Sequence, residues 1–206
     1  MKNRIISYLE ELYPDAKCEL NYNKDYELLI ATVLSAQTTD ISVNKVTSVL
    51  FSKYDSLNAL YEADIDDIKK IIRTIGTFNK KAQYIHDIAF KLRDIGYVPN
   101  DREFLESLSG VGRKTVNVVL SNIYNEPYLA VDTHVKRVSN RLGLTNSDDP
   151  SIVESDLMKI LPKEKIVKLH HQFIFFGRYH CKSKNPNCNN CKLIDICKYK
   201  NKNLTM

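Results

Sequence analysis

Apolar positions recur along most of this chain with the period of an α-helix. Ile5, Ile6, Leu9 and Leu12 mark one stripe. Leu28, Leu29, Ala31, Thr32, Val33, Leu34 and Ala36 form a segment apolar on most sides, which predicts a central helix. Tyr84, Ile85, Ile88, Ala89, Leu92 and Ile95 repeat at i, i+3, i+4 spacing, and Gly96 followed by Pro99 supplies the stop. Val116, Val119, Leu120 and Ile123 continue the pattern, and Ile166, Val167, Leu169, His170, Phe173 and Ile174 give a further stripe. The run "VNVVL" at 116–120 is β-prone in composition, yet it lies inside a longer helical period. The chain therefore reads as all-α, about ten helices joined by short turns. There is no internal repeat, and no linker long enough to part independent domains.

Composition changes this picture little. The chain has 206 residues, enough for one large domain or two lobes with a buried core. Hydrophobic residues make up 43% and charged residues 27%, ordinary for a globular protein. The net charge of +5 is a mild excess that suits an acidic partner. Its distribution says more. From 178 to 200 the bases are Arg178, Lys182, Lys184, Lys192, Lys198 and Lys200, against Asp195 alone. That is the footprint of phosphate contacts, or else a solvated tail. No apolar run approaches the roughly 20 residues of a membrane span. The start, "MKNRIISYLEELYPD", has no continuous apolar signal region and reads as an amphipathic helix, so a cytoplasmic protein is expected. No extended heptad demands a partner helix, so a monomer is expected.

Four of the five cysteines crowd the C-terminus as Cys181, Cys188, Cys191 and Cys197. Disulfides do not suit a basic cytosolic chain, so clustered thiolates point to a metal centre. Zinc usually takes two close cysteine pairs. Here only Cys188 and Cys191 are such a pair, and the outer two reach from longer loops. That favours a larger four-iron, four-sulfur group, with zinc the alternative on spacing alone. Cys18 lies outside the pattern and reads as a packed thiol.

The stretch "LSGVGRKTVNVVL", 108–120, sets Gly110, Val111 and Gly112 before Arg113 and Lys114. A glycine turn followed by a helix N-terminus forms an anion site, although a plain helical corner uses the same residues. A lysine in the first turn opposes the helix dipole. The positive helix end, Arg113 and an expected partial burial would each favour the free amine, which is a nucleophile able to form a Schiff base. Asp132, in "LAVDTHVKRVSNRLGL", offers a partner carboxylate, and its position also fits an N-cap. His134 either contacts phosphate or orients its neighbours, with the structural role favoured.

At these residues the sequence resembles the endonuclease III family of helix-hairpin-helix DNA glycosylases. The resemblance spans nearly the whole chain. It includes "LLIATVLSAQTTDISVNKV" (28–46), "TIGTFNKKA" (74–82), the glycine hairpin, the Asp132 segment, "HHQFIFFGRYHC" (170–181) and the cysteine spacing. It implies two helical lobes: a six-helix bundle over 20–127, and a cluster domain of 1–19 with 128–206, with DNA in the groove between them. It implies a 4Fe-4S cluster on the four C-terminal cysteines. It further implies a bifunctional glycosylase and abasic-site lyase on double-stranded DNA, removing oxidised pyrimidines, with Lys114 the nucleophile and Asp132 its carboxylate. Gly110, Val111, Gly112, Arg113, His134, Lys182 and Lys184 are the implied backbone contacts, and Gln37 fills the gap left by the flipped base. The family often has an apolar wedge after the glycine of "TIG", whereas Thr77 and Phe78 stand here, Phe78 reading as core. The alternatives are a thymine or adenine mismatch glycosylase and a non-catalytic DNA-binding protein. Against the adenine enzyme, Thr32 occupies the position of its catalytic glutamate. In the cell the DNA would hold the protein at the nucleoid.

Overall fold

The computed structural model describes residues 1–204. Among them the structure is helical with no strand, as the apolar period predicts. The α-helices are α1 (Lys2–Leu12), α2 (Asp25–Leu34), α3 (Asp40–Lys53), α4 (Leu57–Glu62), α5 (Ile65–Ile71), α6 (Phe78–Leu92), α7 (Arg102–Glu106), α8 (Arg113–Tyr124), α9 (Thr133–Arg141), α10 (Pro150–Ile160) and α11 (Ile166–Phe175). The β-prone "VNVVL" run is helical within α8, where Val116, Val119 and Leu120 are buried. No described helix is long and apolar enough to cross a membrane.

The chain divides into two compact units, Cys18–Tyr124 and Met1–Lys17 with Asn125–Met206. In the first, α2 is the central element, with Tyr26 to Leu34 all buried. It packs against α3, α6 and α8. A helix hydrophobic all round must be enclosed on all sides to be stable. The unit closes through α4 and α5 on α6, and α7 on α8. The α6 stripe is buried through Leu92, and Gly96 makes the left-handed stop at φ +81. Ile95 falls past the helix end and is partly exposed, not core.

The second unit is built on α9 and α11, with α1 packed on α11 and α10 on α9. Its core includes Ile5, Leu9, Val138, Leu157, Phe173 and Phe176. Beyond α11 the chain widens into a π-turn, Phe176–His180, in which the Cys181 N–H reaches back to the Phe176 carbonyl. Such wide turns recur at functional positions, and this one delivers the first clustered cysteine.

Candidate active site and metal centre

The hairpin joins α7 to α8. Gly110 turns at φ +76, and a Cβ there would lie 2.4 Å from Cδ2 of Tyr84, so only glycine fits. Val111 donates its N–H to the Leu108 carbonyl at 3.1 Å, and its side chain is buried. Val111 therefore anchors the hairpin, with its side chain buried and its amide paired within the turn. Ser109 Oγ donates to Asp87 at 2.9 Å and ties the hairpin to α6. Gly112 is not left-handed, and a Cβ there would meet nothing within 4 Å. Its carbonyl accepts the Val116 N–H at 3.1 Å, starting α8.

Gly110, Gly112, Arg113 and Lys114 are all exposed, and the first turn of α8 holds no acidic residue. This end joins outward amide groups, the positive helix terminus and two cations, a fitting seat for an anion. The expected partial burial of Lys114 is not found. Lys114 lies about half a turn round α8 from Val116, Val119 and Leu120, which face the core.

Gln37 occupies the turn after α2 with φ 60, and it is exposed. Thr77 precedes α6 with φ 56 and is also exposed, whereas Phe78 is half-buried. Phe78 is thus not the core residue its aromatic ring suggested, and Thr77 is the residue held out. Thr32 is satisfied inside α2, donating to the Leu28 carbonyl at 2.7 Å.

In the other unit Asp132 is the N-cap of α9, accepting the Val135 N–H at 2.7 Å. It is half-buried. Two residues on, His134 packs against Gly177, where a Cβ would lie 2.7 Å from the His134 Cβ. His134 Nδ1 lies 3.1 Å from Nη2 of Arg137. That placement sets the ring between Gly177 and Arg137. Arg137 also donates to the Gly177 carbonyl at 2.6 Å and the Cys181 carbonyl at 3.1 Å, stapling α9 to the π-turn.

Cys181, Cys188, Cys191 and Cys197 line one cavity, walled by Leu142, Phe176, Ile194 and Tyr199. Among the described residues, no three His, Cys, Asp or Glu side chains close on a position for a single metal ion. Burial pushes the Cys181 and Cys191 thiols up, with the Arg141 guanidinium opposing it at Cys181. Buried thiols become thiolates when a cationic group binds them. Four cysteine sulfurs around one cavity fit an iron–sulfur cube. Cys18 stands apart, and its thiol is pushed up to about 11 by burial, as for a packed side chain.

Arg141 organises the loop that follows. Its guanidinium lies 3.4 Å from Cys181 Sγ, donates to the Lys182 and Ser183 carbonyls at 2.7 and 3.3 Å, and stacks 3.7 Å from the Tyr199 ring centre. Lys182 and Lys184 are left exposed on that loop. Neither Arg137 nor Arg141 was singled out from sequence. The available signal was their i, i+4 spacing on α9, one turn apart and both half-buried or buried.

The chain matches the model of the HhH-GPD superfamily of base excision DNA repair proteins over residues 30–163. It is 44% identical over 200 residues to endonuclease III of Rickettsia conorii, covering 96% of this chain and 95% of that protein. To endonuclease III of Escherichia coli it is 43% identical over 200 residues, with coverages of 96% and 95%. A solved trapped endonuclease III–DNA covalent intermediate superposes with a TM-score of 0.90, at 46% identity and 96% coverage of each chain. A thermostable thymine-DNA glycosylase shares the fold, with a TM-score of 0.83 at 22% identity and coverages of 96% and 95%.

Proposed function

The chain belongs to the endonuclease III family of base excision DNA repair proteins, and from that premise we propose how its residues divide the work. It is a DNA glycosylase and abasic-site lyase that acts on double-stranded DNA. The proposed substrate base is an oxidised pyrimidine, extruded from the stack before reaction.

Lys114 is the nucleophile. Its Nζ attacks C1′ of the sugar, the bond from C1′ to the base breaks, and the base departs with a proton. Loss of the amine protons and opening of the sugar ring leave a Schiff base between Nζ and C1′. Removal of a C2′ proton then expels the 3′ phosphate by β-elimination, and water releases Lys114 from the cut strand. Asp132 stabilises the positive charge that develops at the sugar and handles protons. Its cap on α9 fixes the carboxylate for that task. Gly110 and Gly112 offer backbone amides to a phosphate, beside Arg113. Gln37 fills the gap left by the flipped base.

Cys181, Cys188, Cys191 and Cys197 hold a 4Fe-4S cluster, which supplies a structural crosslink when bound. Arg141 and the cysteines together shape the loop that carries Lys182 and Lys184 to the DNA backbone.

The observation that carries this reading is the exposed Lys114 at an acid-free helix mouth, set beside an open glycine backbone. The test is borohydride reduction of the protein mixed with abasic-site duplex. A covalent protein–DNA adduct is expected, and Lys114→Ala abolishes it. No adduct with the intact protein would sink the lyase assignment. An adduct that persists in the variant would remove Lys114 from its role. The purified protein is expected to be yellow-brown with iron and sulfide, and a colourless protein with stoichiometric zinc would overturn the cluster.

A further inference from the structure

Gln37 and Thr77 share an uncommon backbone. Both are non-glycine residues in the left-handed region, and both are exposed. For threonine, with its β-branched side chain, that conformation is a true outlier. Outliers of this kind persist only where the surrounding structure over-determines them.

Lys81 is the residue that reaches both turns. Its backbone N–H donates to the Thr77 carbonyl at 3.1 Å. Its side chain crosses to the end of α2, where Nζ donates to the Leu34 carbonyl at 2.9 Å and the Ala36 carbonyl at 2.7 Å. Ala36 is the residue immediately before Gln37. Lys81 is only 4% exposed. A buried ammonium group is normally paired with a carboxylate, but the acceptors here are two main-chain carbonyls. They lie at a helix C-terminus, where carbonyls lack partners and the dipole favours a cation. Burial lowers the pKa of this amine, so the site holds its charge against a desolvation cost. An apolar residue would fill the same volume without that cost. The lysine is needed for the tie.

We propose that Lys81 is a positioning residue, a strut that fixes the turn bearing Gln37 relative to the turn bearing Thr77. It holds the two exposed residues at one spacing, ready to enter the base stack together when a nucleotide is flipped out. This rests on the reading of Gln37 as the gap-filling residue. Lys81 itself touches no DNA. Its effect runs through the two turns, and it belongs to base extrusion and not to bond breaking.

The test compares Lys81→Met, which keeps length but no donor, with Lys81→Arg, which keeps charge and donors, and with Gln37→Ala. Each is measured on two DNAs. One is a duplex containing an oxidised pyrimidine, which must be opened. The other is a single-stranded abasic oligonucleotide, which has no stack to open. Lys81→Met is expected to slow base removal from the duplex by roughly a hundredfold, the scale of a misplacement of about an ångström. Borohydride trapping on the single strand stays at the wild-type level. Lys81→Arg recovers most of the duplex activity. In a Gln37→Ala background Lys81→Met adds little further loss, because coupled residues are not additive. Normal duplex activity of Lys81→Met would overturn the inference. So would an equal loss on both DNAs accompanied by a lowered melting temperature, which marks a fold defect. If Gln37→Ala is slow and Lys81→Met is not, the gap-filling reading stands and the strut alone falls. If Gln37→Ala works normally, the gap-filling reading falls and the strut with it.

Discussion

Asp132 accepts the backbone N–H of Val135 at 2.7 Å, so the carboxylate assigned to chemistry is also the cap of α9. The two roles separate by substitution. Asparagine caps a helix as well as aspartate does, but it carries no charge to stabilise a cationic sugar. Asp132→Asn is expected to melt like the wild type and to lose activity by roughly 10²–10⁴-fold. Asp132→Ala loses the cap as well, at about 1 kcal/mol of stability. Thermal melts beside single-turnover excision make the comparison. Wild-type turnover in the asparagine variant would confine Asp132 to capping.

The two hairpin glycines are expected to fail differently. At Gly110 a side chain meets Tyr84 and the backbone is left-handed. Gly110→Ala should destabilise the protein by about 1–3 kcal/mol through strain and overpacking. At Gly112 there is open space. Gly112→Ala should leave stability within about 0.5 kcal/mol, yet weaken DNA binding, because its methyl group keeps a phosphate from the backbone. Urea melts and fluorescence anisotropy with abasic duplex read the two effects. Unchanged binding by Gly112→Ala would show that no phosphate approaches there.

Helix α1 grips the cysteine-rich segment from outside. Arg4 forms a fork on Asp195 at 2.6 and 2.8 Å and donates to the Lys192 carbonyl at 2.5 Å, while Tyr8 donates to the Asn190 carbonyl at 3.0 Å. Cys191 sits within the segment so held. An exposed pair adds little to global stability, so the expected effect is local. Arg4→Ala should melt like the wild type but release iron to a chelator up to about fivefold faster, the range of one surface ion pair. Iron release followed at equal temperature decides it, and equal rates would free the cysteine segment from any dependence on Arg4.

Much of this architecture can be read from periodicity. The stripes at 84–92 and 116–123 are regular and lie within helices because burial rewards that pattern, whereas the stripe at 28–36 is helical only to Leu34, and Ala36 falls exposed in the turn beyond α2. The hairpin and the cysteines were legible because glycine and thiol chemistry is specific. What the sequence hid was long-range. Lys81 looks like any surface lysine until its Nζ is found on carbonyls 45 and 47 residues away, Ala36 in the turn after α2 and Leu34 at the end of α2. Arg137 and Arg141 look like the polar face of α9, yet they hold the π-turn and the loop after Cys181. The burial expected at Lys114 failed for a related reason. Its place in the first turn is set by how α8 docks, which local spacing describes only roughly.

His171 gives the protein an acid-sensitive core. It is 6% exposed, its ring centre lies 4.9 Å from that of His170 in a tilted pair, and burial holds its pKa down to about 4 against an ordinary 6.5. In the folded chain the imidazole therefore stays neutral until about pH 4, while in the unfolded chain it takes up a proton from about pH 6.5 downward. Protonation thus favours unfolding, and the contribution of this residue is complete above pH 6.5 and lost as the pH falls toward 4. The whole swing is of the order of 3 kcal/mol. Between pH 7 and pH 5 it amounts to about 2 kcal/mol. His171→Gln cannot titrate, so its stability should fall by about that much less over the same interval. Comparing the two falls, and not the two stabilities, cancels both the packing cost of the substitution and the acid response of every other group. Urea denaturation at the two pH values measures both. Equal falls would mean that His171 takes up its proton in the folded chain as readily as in the unfolded one.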